Sequence, residues 1–392
     1  MSKFDEVIER RNTLCNKWDD MEPLFGVPAS DGLAMWVADM DFRPPQSVTR
    51  CMQDLVDQGI YGYVGKDRTA YHNAITWWMR ERHGWDVDPD AIFATHGLMN
   101  GIGICLDTFT APGDGIVLFT PVYHSFARVI NAADRRVVEC PLTLTDGRYG
   151  FDFEAYDAQM TGQEKMLILC SPHNPGGRVW TRAELQGVAD FAKRHDLLII
   201  SDEIHHDLVY PGSKHIPMAM IDETISDRVI MMSSTTKTFN LAGMHSGNVI
   251  IHDPNLRARF DARLKALYIT TEAFQIHMPT AAYSPDGAAW LEDLISYLDG
   301  NRRLLDEGLN ALPGISSMPL EATYLSWVDF AGTGMSQSEI SDRVLKQARI
   351  APNQGSIFGT GGESFLRFNI ATQRRNVEEA VSRLHDAFKD LQ

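Results

Sequence analysis

The chain has 392 residues, of which 44% are hydrophobic and 22% charged, and its formal net charge is −16. This length allows two domains with a large core, since single cores stop growing near ~250–300 residues. The negative charge disfavours nucleic acid or an anionic membrane surface as a partner, because both repel an acidic protein.

The cysteines and the amino terminus indicate the compartment. The five cysteines are scattered along the chain without a C-x-x-C pair, which is typical of a reduced protein without a disulfide framework or a zinc site. Residues 1–11 are too charged for a signal peptide, and no apolar run approaches the ~18 residues that a membrane span needs. We therefore expect a cytoplasmic protein without a membrane partner.

The amino-terminal part of the chain is irregular. Residues 1–20 mix charged and aromatic side chains and predict an arm or short helix that docks on another part of the protein. An apolar, strand-like segment follows at 35–42 and ends at Pro44-Pro45, which cannot continue a strand or a helix interior. A helix is predicted at 46–58, and the loop 59–65 after it holds two tyrosines between glycines.

Apolar segments alternate with amphipathic helical segments from about residue 92 to residue 251. The predicted strands are 115–120, 136–140, 166–170, 197–202, 229–233 and 247–251. The predicted helices are 99–110, 122–131, 182–195 and 255–268. Such alternation predicts an α/β fold with a mostly parallel sheet covered by helices.

The carboxyl-terminal part follows a different pattern. A long helix is predicted after the turn 284–287 and ends near Pro313-Gly314. Strand, helix, strand and helix then follow at 324–330, 338–348, 365–371 and 377–391. We expect a large domain at 46–285 and a smaller α+β domain formed by 1–45 together with 286–392.

Lys237 is the first candidate for chemistry. It follows the apolar strand 229–232 and the hydroxyl cluster 233–236, so it lies at the carboxyl end of a strand, where open α/β sheets bind ligands. Hydroxyls around a lysine suit an anion such as a phosphate ester, and a lysine beside apolar walls can serve as a Schiff-base amine. A surface lysine in a Ser/Thr-rich loop fits this stretch equally well.

Two further polar side chains follow predicted strands. Asp202 ends the strand at 197–202, where a buried carboxylate needs a donor or a cation such as a protonated pyridine nitrogen. It could instead cap the turn that follows. Asn174 follows the strand at 166–170 and could donate to a phenolate oxygen, although Asn-Pro-Gly-Gly is also an ordinary tight turn.

The start of the helix at 99–110 and the residue Tyr123 complete this set. Backbone N–H groups from Gly97 to Asn100 are available to hold a phosphate at the positive end of the helix. Tyr123 follows another strand and could stack on a flat ring, or it could be a core tyrosine. Each signal is weak alone, and the alternatives stay open at each position.

The motifs taken together in this order resemble those of the fold-type I pyridoxal-phosphate enzymes, which include the class I and II aminotransferases. The matching motifs are Tyr-Gly-Tyr63, Gly97-Leu-Met, Pro-Val-Tyr123, His-Asn174-Pro-Gly-Gly, Ser-Asp202-Glu-Ile-His, Ser234-Thr-Thr-Lys237 and Phe-Leu-Arg367-Phe-Asn. The resemblance implies a PLP-dependent transferase-like large domain with a mostly parallel seven-stranded sheet, a smaller α+β domain, pyridoxal 5'-phosphate as the cofactor, and a homodimer whose active sites are shared between subunits.

The resemblance also implies a role for each motif. Lys237 would bind the cofactor covalently and move the proton at the substrate Cα, and Arg367 would bind the substrate α-carboxylate. The cofactor ring would lie among Asp202 at the pyridine nitrogen, Asn174 at the phenolate oxygen, Tyr123 stacked on the ring, and His205. The phosphate would be held by the amides of Gly97, Leu98 and Met99, by Ser234, and by Tyr63 reaching over from the other subunit. No metal ion is expected at this site.

Two departures from the common aminotransferase pattern point to one branch. His245 stands eight residues after the lysine, where many aminotransferases have an arginine, and His205 stands three residues after the aspartate, where they have a tyrosine. With the segment 36–42, these features resemble the MalY/PatB branch of carbon–sulfur lyases. The implied activity is cleavage of L-cystathionine or a related L-cysteine S-conjugate to pyruvate, ammonia and a thiol. Transamination on the same scaffold and a cofactor-binding regulatory role are the alternatives.

Overall fold

The computed structural model describes residues 2–391, which form helices and strands joined by short 3₁₀ turns. The helices are α1 (Asn16–Asp19), α2 (Met21–Phe25), α3 (Gln46–Gln58), α4 (Thr69–His83), α5 (Leu98–Phe109), α6 (Ser125–Ala132), α7 (Phe153–Gln159), α8 (Arg182–Arg194), α9 (Thr235–Thr238), α10 (Pro254–Ala266), α11 (Ala273–Ala282), α12 (Pro285–Asn310), α13 (Gln337–Asp342) and α14 (Arg374–Ala387). The strands are β1 (Leu33–Ala34), β2 (Ile92–Thr95), β3 (Gly115–Leu118), β4 (Arg136–Glu139), β5 (Thr143–Thr145), β6 (Arg148–Gly150), β7 (Glu164–Cys170), β8 (Leu198–Asp202), β9 (Val229–Ser233), β10 (Gly247–Ile250), β11 (Ser316–Ser317), β12 (Leu325–Asp329), β13 (Ile350–Ala351), β14 (Asn353–Gln354) and β15 (Phe365–Asn369).

A seven-stranded sheet forms the centre of the molecule, in the order β2-β10-β9-β8-β7-β3-β4. The neighbours from β9 to β4 run parallel, whereas β10 is antiparallel to both β9 and β2. Strands β3 and β9 are buried along their whole length, and only Ser233 at the end of β9 is polar, so both faces of the sheet are covered. The predicted α/β fold with a mostly parallel seven-stranded sheet is therefore confirmed.

A second, antiparallel sheet of four strands lies in the carboxyl-terminal part, in the order β11-β12-β15-β14. The arm at the amino terminus packs against helix α12 and the segment 35–42 through Phe4. The ring of Phe4 lies 5.1 Å from that of Phe42 and 5.6 Å from that of Trp290. Strand β1 pairs with β13 and attaches the same part of the chain. The division of the chain into a large domain at 46–285 and a smaller domain stays a prediction.

The segment 35–42 is not the strand that its apolar character predicts, since only Leu33–Ala34 before it pair with a neighbour. Its backbone bonds to other segments at Met35 and Asp41, and two side chains bind the carbonyls between and after them. The amide of Asn369 donates to the carbonyls of Val37 and Asp39 at 2.5 and 2.6 Å, and that of Asn240 donates to the carbonyls of Met40 and Phe42. These bonds hold the segment as an irregular loop across the carboxyl edge of the central sheet.

Some elements carry a weak sequence signal. Strand β2 has four residues and is only half-buried in its middle, and we did not predict it or helices α4 and α11. The helix predicted at 338–348 ends at Asp342 and continues as a π-turn over Arg343–Gln347. Within residues 2–391, no helix has the length and apolar character needed to cross a membrane.

Candidate active site

A cavity of about 280 Å³ opens at the carboxyl ends of β7, β8 and β9, beside the start of α5. Its walls come from the strand ends, the first turn of α5, and the loop 36–42. The lining residues are Ala38, His96, Gly97, Leu98, Met99, Tyr123, Cys170, Asn174, Asp202, Ile204, His205, Thr236, Lys237, Ala242, His245 and Ser246. Eight of the predicted site residues are among them, and Ser234, Tyr63 and Arg367 are not.

Lys237 is held in the short helix α9, directly after β9. The side chain of Ser234 begins this helix by accepting a hydrogen bond from the N–H of Thr236 at 3.0 Å. The Nζ of Lys237 donates to the carbonyl of Ala38 at 2.6 Å. Burial lowers the pKa of Lys237 to about 8, with Arg367 acting in the same direction and Asp39 against it. About one tenth of this amine is therefore neutral and nucleophilic at pH 7, and about half at pH 8.

Asp202 lies buried at the end of β8 with little compensation for its charge. Its Oδ1 accepts one hydrogen bond, from the N–H of Ile204 at 3.1 Å, and no cation of residues 2–391 lies within ion-pair distance of it. Burial raises the pKa of Asp202 to about 7. A cationic group placed in the cavity, such as a protonated ring nitrogen, would bring that pKa down and complete the pair.

Arg367 lies behind the cavity wall on β15 and is 3% exposed. Its Nη1 donates to Oδ1 of Asn174 at 3.0 Å, and its Nη2 donates to Oδ1 of Asn353 at 2.5 Å and to the carbonyl of Trp36 at 2.9 Å. All three acceptors are neutral, and burial lowers the pKa of Arg367 to about 10.

The Nε of this guanidinium is buried without a hydrogen-bond partner among the described residues, and no carboxylate of residues 2–391 lies within 4.0 Å of the group. A buried cation without a counterion is costly unless a ligand supplies the negative charge. The arrangement therefore suits a ligand carboxylate.

The start of α5 closes the other end of the cavity. Gly97 has a φ of +85°, a conformation that side-chain-bearing residues rarely adopt, and it precedes the first helical residue, Leu98. The first-turn amides of Leu98 and Met99 have no acceptor within the helix and lie at its positive end. Together with Thr236 and Ser246, which also line the cavity, these donors fit a phosphate group.

His205 contributes an imidazole that we associated with the cofactor. Its side chain is 2% exposed, its Nδ1 has no hydrogen-bond partner within residues 2–391, and its ring lies 6.0 Å from that of Tyr324. Burial and the nearby Lys237 and Arg367 hold the pKa of His205 well below its usual value, so the ring is neutral. The unpartnered nitrogen is available to a ligand.

Two of the predicted phosphate contacts lie elsewhere. The hydroxyl of Ser234 donates to the carbonyl of Ser246 at 2.6 Å and does not line the cavity, whereas Thr236 does. Tyr63 is fully exposed on the loop 59–65, away from the cavity of its own chain. Its predicted contact with the phosphate of a second subunit stays a prediction.

Several residues of the site had no role in our interpretation of the sequence. Thr236 and His96 stand directly beside predicted site residues, so the strand-end rule that selected Lys237 and Gly97 could have included them. Ala38 and Asn353 belong to remote segments, and no local pattern indicates that they meet Lys237 and Arg367.

The site fits pyridoxal phosphate: it combines a lysine amine, a buried carboxylate without a cation, and a helix terminus that can bind a phosphate. A model of the family "Aminotransferase class I and II" matches residues 31–384, and the chain belongs to this family.

Three known proteins are similar to the chain over nearly its whole length. Cystathionine beta-lyase PatB of Bacillus subtilis (strain 168) is 36% identical over 387 residues, which cover 98% of this chain and 99% of PatB. The crystal structure of cystalysin from Treponema denticola, which contains pyridoxal 5'-phosphate, has a TM-score of 0.94 and 34% identity and covers all of both chains. The PLP-bound C-S lyase from Staphylococcus hominis has a TM-score of 0.90 and 28% identity, covering 98% of this chain and 97% of that enzyme.

Proposed function

We propose that this protein is a pyridoxal-phosphate-dependent carbon–sulfur β-lyase that cleaves L-cystathionine or a related L-cysteine S-conjugate to pyruvate, ammonia and a thiol. The observation that carries the proposal is the pair of Lys237, which lines the cavity with a pKa lowered to about 8, and Arg367, a buried cation without a counterion that bonds to Asn174 in the cavity wall. PatB is named a cystathionine beta-lyase and the Staphylococcus enzyme a C-S lyase, and both names support this reaction over others of the family.

Arg367 binds the α-carboxylate of the amino acid. Its bonds to Asn174, Asn353 and the carbonyl of Trp36 fix the plane of the guanidinium, so the substrate carboxylate meets an oriented donor set. Every conjugate of this class shares the amino-acid end that Arg367 holds. The selectivity for the thiol therefore depends on other parts of the cavity.

Lys237 removes the proton from Cα. Its amine is partly neutral near pH 8, and its hydrogen bond to the carbonyl of Ala38 aims the Nζ along one wall of the cavity. When bound, pyridoxal phosphate supplies an electron sink that stabilises the negative charge left at Cα. Loss of the thiolate from Cβ then uses that electron pair.

Asp202 keeps a proton on the ring nitrogen of the cofactor, because its buried carboxylate has no other cation to pair with. Asn174 donates from Nδ2 to the phenolate oxygen, since its Oδ1 already accepts from Arg367. Tyr123 would stack on the ring with His205 beside it, and the amides of Gly97, Leu98 and Met99 would hold the phosphate together with the hydroxyl of Thr236, which lines the cavity where Ser234 does not.

We also propose a cytoplasmic homodimer in which Tyr63 of one subunit donates to the phosphate in the other. The support is the exposed apolar surface around this residue, where Val56, Ile60, Tyr61 and Tyr63 are between 57% and 106% exposed. An apolar surface of this kind, with polar surroundings, is typical of an interface. All five cysteines are free, as in a reduced compartment.

The substitution Lys237→Ala tests the proposed function. The wild-type protein is expected to carry the visible absorption of lysine-bound pyridoxal phosphate and to release pyruvate from an L-cysteine S-conjugate, and the variant to lose both. Lys265→Ala is the matched control, because this lysine is 74% exposed and pairs only with Asp261 on its own helix. An unchanged spectrum in Lys237→Ala would contradict the proposal.

A further inference from the structure

Three potential metal ligands lie together in the core beside the active site but face away from it. His83 is the last residue of α4, and His206 and Asp207 follow β8, in the turn that also carries His205. All three are buried. The rings of His83 and His206 stack with centroids 4.6 Å apart, and one atom of each of the three residues can be chosen so that all lie within 4.8 Å of one another.

His206 has an unusual environment for a buried imidazole. It is 1% exposed, and neither of its ring nitrogens has a hydrogen-bond partner among residues 2–391. Its Nε2 lies 3.1 Å from Oδ2 of Asp207, but the two atoms are not aligned for a hydrogen bond. Each nitrogen of an imidazole ring is either a hydrogen-bond donor or an acceptor, so two buried nitrogens without partners are costly. A cation bound by both Nε2 of His206 and Oδ2 of Asp207 would remove part of this cost.

Asp207 is held in place by donors that do not neutralise it. Nε1 of Trp78 donates to Oδ1 at 2.9 Å, and Oγ1 of Thr238 donates to Oδ2 at 2.8 Å. Nε2 of His83 also donates to Oδ1, at 3.3 Å, and Nε2 of His206 lies 3.1 Å from Oδ2 without a hydrogen bond. Separations of this size between donor atoms are those of neighbouring ligands around one small cation.

The positive charges near the cluster do not prevent the binding of a further cation. Arg82 is the nearest cationic side chain that pairs with Asp207; its Nε lies 4.0 Å from Oδ1, while its Nη1 is bound to Glu292 at 2.6 Å. A metal ion bound between these atoms would replace the proton that Nε2 of His83 donates to Oδ1 of Asp207.

A second cavity of about 280 Å³ gives access to the cluster from outside. It is lined in part by His83, His206, Asp207 and His215, and it shares no lining residue with the active-site cavity. The Nε2 of His215 bonds to Glu203 at 2.7 Å, an arrangement in which the other ring nitrogen is free to bind a metal. The ring of His215 lies 5.5 Å from that of His83 but outside the group of three, so a water molecule from this cavity would be the fourth ligand.

We propose that His83, His206 and Asp207 bind one divalent transition-metal ion of the zinc class, apart from the active site. Imidazole nitrogens with one carboxylate oxygen are a donor set that Zn²⁺ and Co²⁺ accept, whereas Mg²⁺ and Ca²⁺ prefer oxygen ligands alone. The ion connects the end of α4 to the turn after β8. Through Thr238, it also braces the helix that carries Lys237. The site is structural and does not depend on the proposed reaction.

The test uses the holoenzyme after treatment with a chelator. Equilibrium dialysis against Zn²⁺ is expected to give about one bound ion per chain, and the melting temperature is expected to rise by a few degrees. Bound Co²⁺ should show the visible absorption of a site with nitrogen ligands and low coordination number. Less than about 0.1 ion per chain, or a Co²⁺ spectrum identical to that of the hydrated ion, would overturn the proposal.

Two variants locate the ion. His206→Ala and, as a second variant in case that one does not fold, His83→Gln should both lose the Zn²⁺ stoichiometry and the Co²⁺ absorption. His72→Ala is the matched control, since His72 lies on the same helix α4 but outside the cluster. Equal loss in the control, or full binding in both cluster variants, would place the ion elsewhere and contradict the assignment.

Discussion

The guanidinium of Arg367 donates a 3.0 Å hydrogen bond from Nη1 to Oδ1 of Asn174. Because an arginine can only donate, this bond fixes the orientation of the amide, and the N–H groups of Asn174 must point to other acceptors. The residue that we assign to the substrate carboxylate therefore also orients the residue that we assign to the cofactor. Changes at Arg367 are expected to affect substrate binding most and cofactor binding only slightly.

The substitution Arg367→Ala is expected to leave the visible absorption of the bound cofactor in place and to reduce kcat/KM for amino acids. Losing a buried charge-assisted contact costs about 2–5 kcal/mol, or roughly 30-fold to several thousand-fold in kcat/KM. Steady-state kinetics and an absorption spectrum of the same preparation measure both. Arg367→Lys keeps the charge but not the fork of donors, so it should recover only part of the loss.

Arg135→Ala is the matched control for this experiment. Arg135 is also a buried arginine, but it donates to the carbonyls of Leu106 and Thr110, far from the cavity. Its removal should lower the melting temperature without changing kcat/KM of the folded enzyme. If Arg367→Ala instead loses the cofactor and the fold, Arg367 is structural and its assignment is wrong.

Asp202 gives the site a pH dependence with a definite sign. Below a pKa of about 7 the free protein holds Asp202 as a neutral acid, which cannot pair with a cationic ring nitrogen, and above it as a carboxylate. Affinity for pyridoxal phosphate should therefore fall as the pH decreases through 7, by at most about tenfold per unit. Equilibrium dialysis of the Lys237→Ala variant measures this affinity without the titrating lysine. The loss of that positive charge raises the pKa of Asp202, because Lys237 lowers it in the wild-type protein.

The double variant Lys237→Ala, Asp202→Asn is the control for this pH series, because an asparagine stays neutral at every pH. It should bind the cofactor weakly and without the decline around pH 7. Identical pH curves for the two proteins would show that Asp202 does not face the ring nitrogen.

The substitution Tyr63→Phe tests whether the active site is shared between subunits. His245 supplies at most two N–H groups where many aminotransferases have an arginine with five, so the hydroxyl of Tyr63 should contribute measurably to cofactor retention. Tyr61→Phe, on the same exposed loop, is the control and should retain the cofactor normally.

Mixing the Tyr63→Phe and Lys237→Ala proteins then provides the decisive test of sharing. A heterodimer would contain one site with both an intact Lys237 and an intact Tyr63, so activity should recover once the subunits exchange. The test requires each variant alone to be well below wild type. No recovery after demonstrated subunit exchange would mean that Tyr63 does not act across the interface.

A buried ion pair in the amino-terminal arm supports the loop that contacts Lys237. Lys17 is fully buried, and its Nζ donates to Oδ2 of Asp41 at 2.8 Å. Lys17→Ala should cost roughly 3 kcal/mol in the free energy of unfolding, at the low end for a buried pair because Arg10 still pairs with Asp41. Denaturant unfolding measures this cost.

Lys3→Ala breaks an exposed pair with Asp293, in which the side chains are 48% and 65% exposed, and should cost only about 0–1 kcal/mol. The two lysines therefore form a matched comparison within one arm. Equal effects in the two variants would show that burial of Lys17 adds nothing to the stability of this arm.

The proximity of three site residues could be predicted, because each lies at or just after the end of a strand in one parallel sheet. These residues are Asn174, Asp202 and Lys237. The carboxyl ends of β7, β8 and β9 lie at the same edge, so the side chains after them line one cavity. Long apolar runs also predicted these strands correctly. Strand β2 has only four residues and a half-buried middle, so it lacks the long apolar run that predicts a strand.

The loop 36–42 and its contacts could not be predicted from local patterns. Its apolar residues favour a strand, but Asn369 and Asn240, both remote in the sequence, bind its carbonyls and bring Ala38 to Lys237. The metal cluster that we propose has the same origin, since His83 and His206 belong to elements that meet only in the fold. Tertiary contacts of this kind leave no periodic signal in the sequence.

Release of pyruvate from L-cystathionine by the purified holoenzyme, without any keto-acid acceptor, tests the central claim most directly. A series of L-cysteine S-conjugates with small and bulky thiols extends the same assay to the choice of substrate. The account predicts pyruvate, ammonia and free thiol in equal amounts, all lost in Lys237→Ala. Amino transfer that requires a keto acid and leaves the carbon–sulfur bond intact would contradict it.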